Sequence, residues 1–332
     1  MNGTDLFSQQ ESNRRRSAWL TAGFVGFFAW IGLGGDLVRY LMAPDRGFPV
    51  PWLGMLTAAA AGGIAWYSWR RGPERVLGAT GAHELLHPGT PGEIQLANVV
   101  EEMAIASGTP RPRIWIVPED DPNAFATGRD ASSASVAVTR GLLDLLDRDE
   151  LQGVVAHEMA HIRNLDVRLM TLLAAMVGAL ALMSDTLRVL LRGGGRMGRG
   201  GSGRGGGGKG SPLALVVLVL WLLSLLVAPL VGRVLALAVS RKREYLADAT
   251  AAQFTRNPLA LARALTKLEE RAEPTRTISR GAAHLCIVDP GSRRLSDREG
   301  RLGDLFASHP PLRVRVARLK AMGYSGSLKF EV

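Results

Sequence analysis

The apolar residues of this chain are gathered into four blocks long enough to form membrane helices. The blocks cover Ala18–Gly35, Phe48–Trp69, Leu169–Ser184 and Ser211–Gly232, and none of them contains a charged residue. A helix that crosses a bilayer needs about 20 mostly apolar residues, and the second and fourth blocks have 22 each. The first block has 18 residues and the third has 16. The pattern therefore predicts four spans arranged as two hairpins.

Two long stretches lie outside these blocks and predict soluble structure. In Arg70–Asp166 the apolar spacing predicts helices over Glu93–Ser107, Gly141–Leu146 and Asp149–Arg163, and strands at Arg113–Val117 and Ala134–Thr139. In Arg241–Val332 it predicts helices over Glu244–Thr255, Pro258–Glu270 and Pro311–Met322. The predicted fold class is α+β and mostly helical, a multi-pass membrane protein whose soluble domain is assembled from two segments.

The predicted organisation has four parts. Residues 1–70 form an N-terminal transmembrane hairpin, 71–166 the first part of the soluble domain, 167–240 a second transmembrane hairpin, and 241–332 the second part of the domain. Within the second hairpin, residues 192–210 form a linker rich in glycine with five basic residues. This composition is typical of a flexible tether. An RNA-binding linker is disfavoured, because this one has no aromatic residue on which bases could stack.

The net charge of +10 fits a membrane protein better than a nucleic-acid-binding protein. Basic clusters lie at the ends of the apolar blocks, at Arg14–Arg16, Arg70–Arg71 and Arg241–Arg243, as expected where positive residues stay on the cytoplasmic side. A cytoplasmic N-terminus places both soluble segments in the cytoplasm, but the basic linker then lies on the outer side. Either this loop departs from the charge rule, or the third and fourth blocks do not both cross the bilayer. The single cysteine, Cys286, excludes an intramolecular disulfide and fits a reducing compartment.

The pattern His-Glu-x-x-His, typical of zinc peptidases, occurs twice. On a helix this spacing places two imidazoles on one face, with the glutamate beside the metal. The copy at His157–His161 lies in the predicted helix Asp149–Arg163, which has a continuous apolar stripe. The copy at His83–His87 is followed at once by Pro88 and Gly89, so it predicts no more than a short surface helix. We therefore assign the metal to His157 and His161, with Glu158 as the catalytic base.

A catalytic zinc site has three protein ligands and one open position, so a third ligand must come from elsewhere in the chain. Glu244 is the candidate, because the segment Glu244–Asp248 places two carboxylates on one helix face. Asp248 can then accept a hydrogen bond from the free ring nitrogen of His157 or of His161. Both ligand helices adjoin predicted spans, so the single Zn²⁺ of the chain is expected within about two helical turns of the bilayer.

These residues resemble the HtpX-type membrane metallopeptidases, which are relatives of the CAAX prenyl proteases. The resemblance covers most of the chain from Arg113 onward, together with the four-span layout. It rests on four segments in the same order: Pro122–Gly128 with Asn-Ala-Phe, the helix His157–Asp166, Ser240–Asp248, and Ala307–Pro311 followed by Arg315 and Leu319. The basic linker and the first His-Glu-x-x-His copy depart from the family pattern.

The resemblance implies a zinc-dependent metalloendopeptidase with a gluzincin-like domain. Zinc polarises the scissile carbonyl and activates a water, and Glu158 takes its proton and passes it to the leaving amine. His309 is implied to stabilise the oxyanion, with the alternative that it only caps the following turn. Asn123 and the strand Ala134–Thr139 are implied to bind the substrate backbone by strand addition. Asn164 and Asp166 either end the catalytic helix or support a ligand.

The resemblance also implies partners and location. The expected substrates are membrane-associated or misfolded polypeptides, in a quality-control and stress-response role. The expected location is the inner cell membrane, with the active site facing the cytoplasm and no nucleic-acid partner. A CAAX-type processing protease, a catalytically silent membrane scaffold and a membrane-tethered RNA binder are the alternatives.

Overall fold

The computed structural model of the chain describes residues 4–42, 50–173, 215–221, 223, 241–271, 286–287 and 310–327. The chain divides into two compact units. The first unit comprises residues 1–17, 71–175 and 236–332, and it carries all the described strands. The second unit comprises residues 18–70 and 176–235, and its described residues are almost entirely helical.

Most residues of the four apolar blocks belong to the second unit. Helix α1 covers Thr4–Met42 and helix α2 covers Trp52–Ala79, so both extend beyond the apolar blocks that predicted them. Among the described residues, Gln10–Leu41 is the one helix whose length and hydropathy suit a membrane span. Of the four predicted spans, the structure therefore supports the first. The second is helical without meeting that criterion, and the third and fourth lie largely outside the described residues.

Small residues and one buried carboxylate join α1 to α2. A Cβ atom at Gly32 would lie 2.5 Å from the carbonyl oxygen of Leu53, so a side chain there would force the helices apart. Buried Asp36 accepts a hydrogen bond of 2.8 Å from the N–H of Gly54, in the first turn of α2. Close contacts at small residues are typical of packed membrane helices. Both helices also expose large apolar side chains, among them Trp19, Trp30, Trp52 and Leu56.

The first unit contains a four-stranded mixed sheet. Its strands are β1 (His83–Glu84), β2 (Arg113–Val117), β3 (Ala124–Thr127) and β4 (Ser135–Thr139), in the spatial order β1-β2-β4-β3. The central strands β2 and β4 are parallel, and β1 and β3 pair with them in antiparallel fashion at the two edges. Strands β2 and β4 confirm the two predicted strands. The edge strands are too short for an alternating pattern to reveal them.

The first His-Glu-x-x-His copy is not helical, so the prediction of a short surface helix there is wrong. His83 and Glu84 form β1 and lie opposite Ile116 and Trp115 of β2. Gly81 precedes them with φ 67°, a left-handed conformation that glycine adopts without strain. An extended backbone removes the shared helix face on which two histidines of this pattern could bind one metal.

Local sequence signals set the start of the first soluble helices. Helix α3 (Pro91–Ser107) begins with a capping box between Thr90 and Glu93, and α5 (Arg148–Arg163) begins with one between Asp147 and Glu150. Helix α4 covers Arg140–Leu145 between them. All three agree with the predicted helices to within two residues, the usual uncertainty of helix ends.

Three further described helices of the first unit confirm those predicted for the second soluble segment. They are α6 (Arg241–Thr255), α7 (Pro258–Glu270) and α8 (Leu312–Ser327). Helix α5 packs against α3, α6, α7 and β3. Where α5 packs against α7, a Cβ atom on Gly153 would lie 2.9 Å from the main chain of Leu261. Every residue of α5 from Gly153 to Ile162 is buried, so the second His-Glu-x-x-His copy lies inside the protein.

Candidate metal centre

Helix α5 brings His157, Glu158 and His161 into one buried site. The two imidazoles lie on the same helix face because they are four residues apart. Their Nε2 atoms are 3.2 Å apart, and the rings are nearly perpendicular, with an interplanar angle of 88°. Both Nε2 atoms therefore face the same small volume.

Glu244, in the first turn of α6, faces the two imidazoles. Its Oε2 atom lies 3.6 Å from Nε2 of His157, and its Oε1 atom lies 3.6 Å from Nε2 of His161. Atoms that bind one ion tetrahedrally at zinc distances are about 3.3 Å from each other. The observed separations of 3.2 and 3.6 Å are of this size, with a different oxygen of Glu244 nearest to each imidazole. In the described part of the chain, these three residues form the one cluster with metal-ligand spacing.

Each histidine has a carboxylate at its outer nitrogen. Nδ1 of His157 lies 3.0 Å from Oδ1 of Asp248, and Nδ1 of His161 lies 3.1 Å from Oδ2 of Asp166. A carboxylate in this position holds the proton on Nδ1 and leaves Nε2 available to a metal. The sequence left open which histidine Asp248 would serve, and it left the role of Asp166 undecided. In the structure each carboxylate serves one ring.

A sharp turn after α5 brings Asp166 back to His161. Leu165 has φ 59°, in the left-handed region, which costs a residue other than glycine about 1–2 kcal/mol. The chain is helical again over 166–173. Leu165 is itself buried, so packing around this residue offsets the cost of the turn.

Arg315 of α8 is fully buried beside the site. Its Nε and Nη2 atoms donate hydrogen bonds of 2.9 and 2.7 Å to the two carboxylate oxygens of Asp248. Its Nη1 atom lies 3.5 Å from Oε2 of Glu244. A bidentate guanidinium–carboxylate pair is strong and directional, so Arg315 fixes Asp248. The sequence placed Arg315 in a family segment without a role. Arg315 lies four residues before Leu319, which is buried, and so on the same helix face. This spacing was the sequence signal that could have indicated a buried arginine.

Burial and neighbouring charges shift the proton affinities of these groups. Burial and Arg315 both lower the pKa of His157, but hydrogen bonds to Asp248 and Glu244 outweigh them and raise it to about 9. Burial acts to raise the pKa of Asp248, yet Arg315 and His157 hold it at about 2. Burial raises the pKa of Glu158 above its usual value, against the effect of the two histidines. Asp248 is therefore ionised, whereas Glu158 takes up a proton more readily than an ordinary glutamate.

Strand β3 runs beside Glu158. The backbone N–H of Ala126 donates a hydrogen bond to the Glu158 carboxylate. Further along the same edge, the carbonyl oxygen of Ala124 accepts a hydrogen bond of 2.9 Å from the N–H of Ile287, and Phe125 forms an isolated bridge with Cys286. The outer edge of β3 therefore faces the site and is partly paired with another segment of the chain.

The strand that was predicted to receive the substrate backbone is not at an edge. Strand β4 lies between β2 and β3, so both of its hydrogen-bonding sides are occupied and the prediction of strand addition to it is wrong. Asn123, just before β3, is fully buried, and its Oδ1 accepts a hydrogen bond from the N–H of Ala124. The predicted oxyanion group His309 lies outside the described residues.

Comparison with known proteins places the chain in a family of peptidases. The family model described as Peptidase family M48 matches residues 92–323. A protease HtpX homolog of Streptococcus gordonii is 38 % identical over 318 residues, which cover 96 % of this chain and 100 % of the relative. A protease HtpX homolog of Thermoanaerobacter pseudethanolicus is 41 % identical over 258 residues, which cover 77 % of this chain and 80 % of the relative.

A solved structure is also similar. The crystal structure of S. mikatae Ste24p matches with a TM-score of 0.43 and 17 % sequence identity, and the match covers 86 % of this chain and 62 % of that one. The sequence comparisons are sufficient by themselves to assign the family. The chain belongs to Peptidase family M48, as a protease of the HtpX type.

Proposed function

We propose that the protein is a zinc-dependent metalloendopeptidase that binds one Zn²⁺ through His157, His161 and Glu244. The observation that carries this proposal is the convergence of three ligand atoms that all lie within 4.8 Å of one another. Two imidazoles and one carboxylate are a donor set of catalytic zinc sites, which keep a fourth position open. The carboxylates at the outer nitrogens of both histidines support the same conclusion.

Glu158 acts as the general base and then as the general acid. When bound, the ion would polarise the scissile carbonyl and make a water molecule acidic enough to react near neutral pH. Glu158 takes the proton of that water and delivers it to the leaving amine. Burial suits both steps because it raises the pKa of Glu158, and the N–H of Ala126 holds the carboxylate in place. His309 remains our candidate for stabilising the oxyanion.

The proposed substrates are membrane-associated or misfolded polypeptides, in a quality-control role. An extended peptide can pair with the edge of a sheet through its main chain, whatever its side chains. Strand β3 is the edge that lies beside Glu158, and a peptide that pairs there would have to displace the contacts of Ala124 and Phe125 with Ile287 and Cys286. Asn123, immediately before β3, remains our candidate for fixing the substrate backbone.

We also propose a multi-pass protein of the inner cell membrane whose active site faces the cytoplasm. The length and hydropathy of Gln10–Leu41 support this location. The basic residues Arg14–Arg16, at the start of the first apolar block, favour a cytoplasmic N-terminus. The exposed tryptophans of α1 and α2 suit contact with lipid.

Cleavage of casein, or self-cleavage, by the full chain purified in detergent tests the proposed activity. The Glu158→Gln variant should lose cleavage and keep its zinc, because it lacks the base but retains all three ligands. A zinc chelator should abolish cleavage, and added zinc should restore it. The His83→Ala variant should cleave like the wild-type protein, because β1 does not form a metal site.

Two outcomes would overturn the proposal. Cleavage by Glu158→Gln at the wild-type rate would show that another group takes the proton. An inactive His83→Ala variant, together with an active Glu158→Gln variant, would assign the metal to the first copy of the pattern.

A further inference from the structure

The N-terminal end of α1 packs on the helix that carries the proposed metal ligands. Residues 1–17 group with 71–175 and 236–332 in the first compact unit. The Nε2 atom of Gln10 donates a hydrogen bond of 2.8 Å to the carbonyl oxygen of Arg163, the last residue of α5. Asn13 lies three residues further, on the same face of α1, and is only 2 % exposed. This stretch therefore covers the C-terminal end of α5.

Asn13 contacts the carboxylate that orients His161. Its Nδ2 atom donates a hydrogen bond of 2.8 Å to Oδ1 of Asp166, whose Oδ2 lies 3.1 Å from Nδ1 of His161. Asp166 is fully buried, so its oxygens need donors from within the protein. The guanidinium of Arg243 is also near Oδ1, but its Nη1 atom is 3.9 Å away. Among the described residues, the Asn13 amide is therefore the side chain that donates a hydrogen bond to Oδ1 of Asp166.

The same amide holds the turn that precedes Asp166. Its second hydrogen bond, of 3.0 Å, goes to the carbonyl oxygen of Asn164. Leu165, with its left-handed φ of 59°, follows immediately. The last carbonyl groups of a helix have no partner inside the helix and need other donors, which Gln10 and Asn13 supply. One side chain therefore holds both the turn and the carboxylate that the turn presents to His161.

We infer that Asn13 is a positioning residue for the metal site and acts on His161 through Asp166. The inference rests on the proposed zinc site. It extends that site to a segment that precedes the first apolar block and carries none of the motifs from which the site was predicted. Without the Asn13 amide, Asp166 loses the donor at Oδ1 and the turn loses its hydrogen bond, so His161 is less firmly oriented and zinc binds more weakly.

The affinity of the detergent-purified full chain for Zn²⁺, measured by competition with a chromophoric chelator, tests the inference independently of activity. The Asn13→Leu variant keeps the side-chain size and removes both hydrogen bonds. It should weaken zinc binding about tenfold, at the lower end of the effect of residues that support metal ligands. Wild-type affinity in this variant would overturn the inference.

Gln10→Leu is the matched control. This variant removes a hydrogen bond to the same end of α5 and leaves the contact with Asp166 intact, so its zinc affinity should equal that of the wild-type protein. Equal losses in Gln10→Leu and Asn13→Leu would show that packing of the helix end matters and the contact with Asp166 does not. That result would also overturn the inference.

Asp166→Ala provides a second, independent arm. Because the carboxylate through which Asn13 acts is then absent, adding Asn13→Leu should cause no further loss of zinc affinity. A further tenfold loss would show that Asn13 acts by another route and would overturn the inference. The comparison of Asn13→Leu with Gln10→Leu needs no third variant, so it decides the question even if Asp166→Ala does not fold.

His161→Ala separates this inference from the proposed function. If this variant binds zinc as tightly as the wild-type protein, the proposed metal site itself is wrong. If it loses zinc while Asn13→Leu binds zinc normally, the site stands and only the role of Asn13 is refuted.

Discussion

Oδ1 of Asp248 lies 3.0 Å from Nδ1 of His157 and accepts a hydrogen bond of 2.7 Å from Nη2 of Arg315. The three residues belong to α5, α6 and α8, so this contact joins helices from both soluble segments. All three side chains are buried, where hydrogen bonds between charged groups are strong and missing partners are costly. The orientation of one proposed zinc ligand thus depends on a salt bridge within the second segment.

Replacing Asp248 by asparagine should weaken zinc binding. The amide cannot hold the proton on Nδ1 of His157 as a carboxylate does, and substitutions of this kind typically cost about 10–100-fold in metal affinity. Chelator competition on the purified variant measures the loss. Asp144→Asn, at an exposed position of α4, is the control and should bind zinc normally. Unchanged affinity in Asp248→Asn would mean that the Asp248 contact does not support the ligand.

Replacing Arg315 by methionine should destabilise the first compact unit. Removal of one partner of a buried ion pair costs about 3–5 kcal/mol, because the other charge is left buried without compensation. Denaturant unfolding of the variant in detergent measures the change. The matched control is Arg313→Met, because Arg313 has a side chain that is 86 % exposed and a 3.5 Å ion pair with Glu269. The control should change the free energy of unfolding by less than about 1 kcal/mol, and equal effects would contradict the assigned role.

Replacing Gly153 by alanine should also be destabilising. The added Cβ would lie 2.9 Å from the main chain of Leu261, so α5 and α7 would have to move apart. Overpacking of this kind costs about 1–3 kcal/mol, measurable by thermal unfolding. Gly92→Ala in α3 is the control, since its Cβ meets Leu143 at an ordinary 3.7 Å. That variant should be neutral or slightly more stable, by up to about 1 kcal/mol.

Zinc should stabilise the folded protein, and chelation should remove that stabilisation. A ligand that binds only the folded state at a free concentration of about 100 times its Kd adds about 2.7 kcal/mol to the free energy of unfolding. Thermal unfolding of the wild-type protein with zinc and with chelator measures the difference. Glu244→Gln should respond to zinc much less than the wild-type protein, because one proposed ligand is lost. A full response in Glu244→Gln would exclude Glu244 as a ligand.

The soluble helices could be predicted because their signals are local. Capping boxes mark the starts of α3 and α5 within four residues of sequence, and the apolar stripe of α5 follows the helical period. Strand β3 could not be predicted in this way. It has only four residues, Ala124–Thr127, which are too few for a periodic pattern to identify a strand.

The residues of the site also fall into those that local spacing could predict and those that it could not. By itself the sequence determined that the second His-Glu-x-x-His copy is helical and that Glu244 and Asp248 lie on one helix face. Both conclusions depend on the fixed spacing of residues along one helix. The tertiary structure alone decided that the first copy is extended, that β4 is central, and that Arg315 and Asn13 reach Asp248 and Asp166. Those contacts join residues 67 and 153 positions apart. Separations of that size have no local period, and they depend on how the helices pack around α5.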